Sequence, residues 1–148
     1  MEQEKSNFES FELNLNDGII ALLKETANWA YFIAIIGFVG IGFLVLFGAL
    51  FGVILQNMPV NPYENVGFSV SYFGLIYIVM ALIYFMPVLY LFNFSRKMKQ
   101  AIITKDNAVL TAAFRNLKSH YKFVGILAIV IISMYILGIV LGGLGAFI

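Results

Sequence analysis

The sequence predicts an all-α integral membrane protein with three transmembrane helices and helical cytoplasmic extensions between the second and third. Three observations lead there. The chain is 61% apolar and only 11% charged, a balance that excludes disorder and argues against an ordinary soluble domain. Its charges leave three long gaps: 38 positions between Glu25 and Glu64, 31 between Glu64 and Arg96, and the last 26 residues, 123–148. Seven of the nine lysines and arginines fall within 96–122, between the second and third gaps.

A spanning helix needs roughly 20 mainly apolar residues, so each gap can cross once. Only the first raises the question of two crossings, and its central stretch is too short for a turn and a second span. Isolated strands would leave backbone groups unpaired in hydrocarbon. Continuous apolar runs and the short chain disfavour a β-barrel. With no cysteine, neither disulfides nor thiol chemistry enters.

Residues 1–16 read as a flexible acidic cytoplasmic tail. An export signal would start basic and continue into a short apolar core, and a start of Met1-Glu2 lacks the glycine for myristoylation. Asp17 is the expected cap of the first helix. Over 17–28 the positions Ile19, Leu22, Leu23, Thr26 and Ala27 share one side. This stretch either lies along the membrane surface and bends into the first span or extends it straight.

Span one is expected over 29–55, with Trp29 and Tyr31 at the interface. Gly48 and Gly52 form a G-x-x-x-G spacing that removes two side chains from one face and permits close backbone approach. The plainer explanation is that glycine is common in membrane helices. Residues 56–71 read as a periplasmic loop punctuated by Pro59, Pro62 and Gly67, with Glu64 and no basic residue.

Span two follows over 72–95. Pro87, near its far end, removes a backbone donor and is expected to kink the helix; a gating hinge has no second observation behind it. Asn93 and Ser95 stand close enough to satisfy freed carbonyls or to cap a neighbour.

The basic connection, 96–122, holds Arg96, Lys97, Lys99, Lys105, Arg115, Lys118 and Lys122 against Asp106 alone. The positive-inside rule places it in the cytoplasm, with the N-terminus beside it and the C-terminus periplasmic. Asp106 can cap a new helix with the apolar stripe Val109, Leu110, Ala113, Phe114 and Leu117, open to extension to Tyr121. Either that stripe faces an extension of span two in a helical hairpin, or it lies on the bilayer while its cations meet anionic lipid. Span three, within 123–148, repeats the glycine spacing at Gly138 and Gly142.

No ionisable acid, base or histidine lies inside an expected span, which argues against proton relays and charged substrate sites. His120 is the only histidine and no ligand cluster accompanies it, so neither a zinc site nor catalysis finds support; its expected place is the interface or the cytoplasmic surface. No cofactor is expected. The basic connection lacks any nucleic-acid recognition module. Its expected role is topology and anionic-lipid contact at the cytoplasmic leaflet, carried by Arg96, Lys97, Lys99, Arg115, Lys118 and Lys122.

The run Tyr90-Leu91-Phe92-Asn93-Phe94-Ser95-Arg96-Lys97-Met98-Lys99, the later Phe114-Arg115-Asn116-Leu117-Lys118-Ser119-His120-Tyr121-Lys122-Phe123-Val124-Gly125-Ile126, and the opening Glu25-Thr26-Ala27-Asn28-Trp29-Ala30 carry a resemblance. The chain resembles, over most of its length after about Leu22, a family of short membrane proteins found mainly in Bacteroidota, labelled domain of unknown function 5362. The resemblance implies a bacterial inner-membrane setting and brings no catalytic residues. The reading is an accessory or scaffold subunit of an inner-membrane assembly, self-associating or joined to a larger complex and not an enzyme. A small oligomeric passive pore and an anionic-lipid-sensing protein are the alternatives.

Overall fold

A computed structural model of the chain describes residues 16–57 and 71–145. The expected acidic tail up to residue 15, the proline-bearing part of the outer connection (58–70) and residues 146–148 lie outside the described residues. Within them the fold is all-α: α1 (Asp17–Gln56), α2 (Ser71–Thr104) and α3 (Asn107–Gly145). Each is long and apolar enough to cross a membrane.

The N-cap of α1 is Asn16, one residue before the expected Asp17. Asn16 has extended backbone angles, φ −73° and ψ 164°, and its side-chain oxygen accepts from the Ile19 N–H at 2.9 Å. Asp17 is already helical and sits in the first turn, where its charge complements the helix dipole. Both residue types cap well; the extended backbone decides which one does. The helix then continues unbroken through 17–28 into the apolar tract, so this stretch and the expected span one are one helix. The Thr26 hydroxyl donates back to the Leu22 carbonyl at 2.8 Å and so adds no unpaired polar group.

With 40, 34 and 39 residues the helices measure about 60, 51 and 58 Å at 1.5 Å per residue. A hydrocarbon core of roughly 30 Å leaves each helix longer than the apolar layer it can cross.

The α2–α3 connection is as short as a helical hairpin allows. Lys105 takes the left-handed conformation, φ 54°, and Asp106 follows as cap. Its carboxylate accepts from the Ala108 N–H at 2.7 Å and the Val109 N–H at 3.3 Å. The apolar stripe of 109–117 therefore faces α2, and of the two readings of the basic connection the hairpin is the one found.

The helices form one layer with α2 in the middle, packed on both neighbours; among the described residues α1 and α3 make no close backbone approach. Ala27 and Ala30 of α1, Phe94 and Met98 of α2 and Ala113 of α3 are buried together at the basic end, flanked by Leu23, Leu91, Ile102, Leu110 and Leu117. Alanines on the outer helices leave room for the large side chains of the middle one. Elsewhere most of the large aliphatic and aromatic side chains are turned outward, an exposure that water would not support. The fold is consistent with a multi-pass membrane protein.

Candidate functional site

Two places concentrate the residues to which the sequence assigns a role: the helix seams with the gap between them, and the basic end.

Small residues spaced three or four apart bring α1 onto α2. Ala27, Ala30, Ala34 and Gly48 are all buried on this face. A Cβ placed on Gly48 would stand 2.7 Å from Tyr77 Cβ and 3.4 Å from the Gly74 carbonyl oxygen, so the backbones here approach as closely as glycine permits. Gly37, which the sequence reading did not pair with anything, meets Val88 in the same way at 2.7 Å. The longer series Ala27, Ala30, Ala34, Gly37 was the available signal. Near the basic end the buried Ser95 hydroxyl crosses the seam and donates to the Ala27 carbonyl at 2.7 Å. Ser95 thus takes neither role expected of it, carbonyl repair beside Pro87 or capping of a neighbour: its acceptor is a carbonyl in the interior of α1.

Gly52, Gly138 and Gly142 are different: a Cβ on any of them would meet nothing within 4 Å. For the last two the reason is the course of α3. Leu110, Leu117, His120, Phe123 and Leu127 are at least half-buried, and then every residue over 128–142 is exposed, Met134 and Tyr135 at 69% and 72%. In its apolar half, α3 stands apart from the α1–α2 pair, and the molecule has the shape of a fork.

Pro87 is buried at the level where the fork opens. His120, half-buried on α3, places Nδ1 2.8 Å from the Pro87 carbonyl oxygen. A carbonyl only accepts, so Nδ1 carries the proton and donates. His120 thus ties α3 to α2 at Pro87, a contact that spacing alone does not reveal.

At the basic end, Arg96 lies over the Phe92 ring at 5.7 Å and Lys99 over the Tyr31 ring at 4.7 Å. Lys97 is half-buried, whereas Arg115, Lys118 and Lys122 are exposed along α3. Among the described residues none of these six cations forms an ion pair. A cleft of about 360 Å³ opens where the three helices meet, with Ile20, Leu23, Ile102 and Leu110 on its walls and Asp17 and Lys105 at its rim. Among the described residues no three acidic or histidine side chains gather as a metal site. The arrangement is suited to packing, to charge against a membrane surface and to lateral contact within the bilayer.

Residues 69–143, half of the chain, match the Family of unknown function (DUF5362). They run from the start of α2 through the basic hairpin to the open glycines of α3. No curated protein and no solved structure matches the chain.

Proposed function

Because the chain belongs to the DUF5362 family, whose description assigns no activity, its function has to be argued from its geometry; we propose that it is an accessory or scaffold subunit of a bacterial inner-membrane assembly, without a catalytic site of its own. One observation carries this: the apolar half of α3 stands away from α2 and holds Gly138 and Gly142, neither with a neighbour. Two glycines four apart give a helix a shallow face on which another helix can lie close, and within a membrane association rests on such packing because lipid supplies no hydrophobic drive. In the same chain Gly48 is used in that way. The basic end lies in the cytoplasm on this reading, with the N-terminus beside it and the C-terminus in the periplasm.

The test is native mass spectrometry of the complex extracted from its source membrane in mild detergent. A stoichiometric second protein is expected, lost on Gly138→Leu with Gly142→Leu and kept on Leu137→Ile with Leu141→Ile. Retention after the glycine replacements would sink the packing argument. Recovery only as a closed ring of identical chains would replace the subunit reading by a pore, to be followed by ion flux in liposomes.

A further inference from the structure

We propose that the face shared by α1 and α2 at the basic end binds the phosphate of an anionic phospholipid headgroup, held between Arg96 and Lys99 and seated on the rings of Tyr31 and Phe92. This goes beyond the subunit reading and does not depend on it.

Phe92, Arg96 and Lys99 follow one another at spacings of four and three, so they share one face of α2. The Tyr31 and Phe92 rings pack at 5.6 Å with a 31° tilt, joining the two helices. Each cation lies over one ring of this pair, Lys99 at 4.7 Å and Arg96 at 5.7 Å. Lysine near a span end ordinarily reaches outward to water, but Lys99 leans back over a ring paired with Phe92, two turns nearer the membrane. Helix direction explains the reversal. Side chains tilt toward the N-terminus of their own helix; α2 runs toward the basic end, so Arg96 and Lys99 are aimed at the bilayer. Lys118 and Lys122 lie on α3, which runs the other way, and are aimed at water.

Two cations brought to the interface need a counter-charge, and among the described residues neither has a carboxylate partner. The acids on the described helices stand at other places. Asp17 borders the cleft with Lys105, Glu25 stands with Trp29 and Phe32, and Asp106 caps α3. A phosphate at headgroup depth supplies the missing charge. Below it, Phe38 packs on Phe92 at 5.7 Å and on Phe85 at 5.9 Å, which extends the ring pair into a strip running toward the bilayer centre for an acyl chain to rest on. A lipid therefore fits both ends of the face, whereas free phosphate fits one.

The full chain in nanodiscs of mixed phosphatidylglycerol and phosphatidylcholine, released into a native mass spectrometer, tests this. Retained phosphatidylglycerol is expected in preference to phosphatidylcholine, with a loss of roughly fivefold for each cation removed by Arg96→Gln and Lys99→Gln. The control, Lys24→Gln with Lys105→Gln, removes equal charge from exposed positions near the same end and should leave the preference in place. Equal loss in both pairs would overturn the proposal in favour of diffuse charge, and displacement by millimolar glycerol phosphate would overturn the lipid as source. A second reading keeps both cations: Trp29→Phe with Tyr31→Trp puts the sole indole in the site. Brominated phosphatidylglycerol should quench it more than brominated phosphatidylcholine, and equal quenching refutes the site.

Discussion

At the scale of single residues, the glycines divide by what stands opposite them. Gly48→Ala would push a methyl against Tyr77 Cβ, an atom fixed to the backbone, so the helices must part. The expected loss is about 1–3 kcal/mol of α1–α2 association, measured by unfolding in mixed micelles. Gly37→Ala meets the methyls of Val88, which can yield a little, and should cost less. Gly52→Ala meets nothing, so within one chain it should be neutral or gain up to about 1 kcal/mol of helix propensity. An order of harm other than Gly48, Gly37, Gly52 would show that this seam is not what joins the helices. Ser95→Ala removes the buried bond to Ala27 without leaving a new unpaired group, and a loss of about 0.6 kcal/mol is expected in the same measurement. The G-x-x-x-G letters fall on Gly48, where a Cβ would stand 2.7 Å from Tyr77 Cβ, and equally on Gly138, where it would meet nothing. A spacing gives the shape of a face and leaves open what occupies it.

At the scale of elements, periodicity and capping chemistry made the helices legible, including the hairpin turn at Asp106. Its replacement by alanine takes the acceptor from the Ala108 and Val109 N–H groups and should cost about 1 kcal/mol. Lys105→Gly should move stability the other way, by up to about 1 kcal/mol, because glycine adopts a positive φ without strain. Thermal melting of the two variants in one detergent reads both signs. The cap of α1 is Asn16 where Asp17 was expected, since both are good caps by type and only the backbone separates them. Two continuations were open for 17–28 and two for the stripe after Asp106; local spacing fits a surface helix as well as a packed one, and the partner surface made the choice. Pro87→Ala would restore the backbone donor that proline lacks and should alter the fork at its root. Spin labels at Met80 and Ile131 should change their separation, and an unchanged distance would mean that the proline does not shape the fork.

At the scale of the whole molecule, the three-span architecture followed from the charge gaps, because a membrane leaves few options for uncharged tracts this long. The central position of α2 did not follow, nor did the separation of α3, since both depend on side chains meeting across helices. The antiparallel order puts Asp17 and the Lys105 turn at one end, where they border the same cleft. Single cysteines at 17 and 105 should therefore react together with an impermeant reagent from one side of sealed vesicles, and one at 57, the C-cap of α1 at the opposite end, from the other. Labelling of 17 and 105 from opposite sides would overturn the topology.

The separation of α3 also has a consequence in time. A chain is made from its N-terminus, and the Gly48 and Gly37 contacts involve only residues up to Val88, so the ribosome has delivered everything the α1–α2 pair needs before α3 emerges. The third helix then enters a bilayer that already holds a finished pair, and along 128–142 it has no place there to fill. Crosslinking between α1 and α2 in a chain released at Thr104 should equal that in the full chain. If it does, the newborn protein reaches its partner with one arm already set and the other still free to choose.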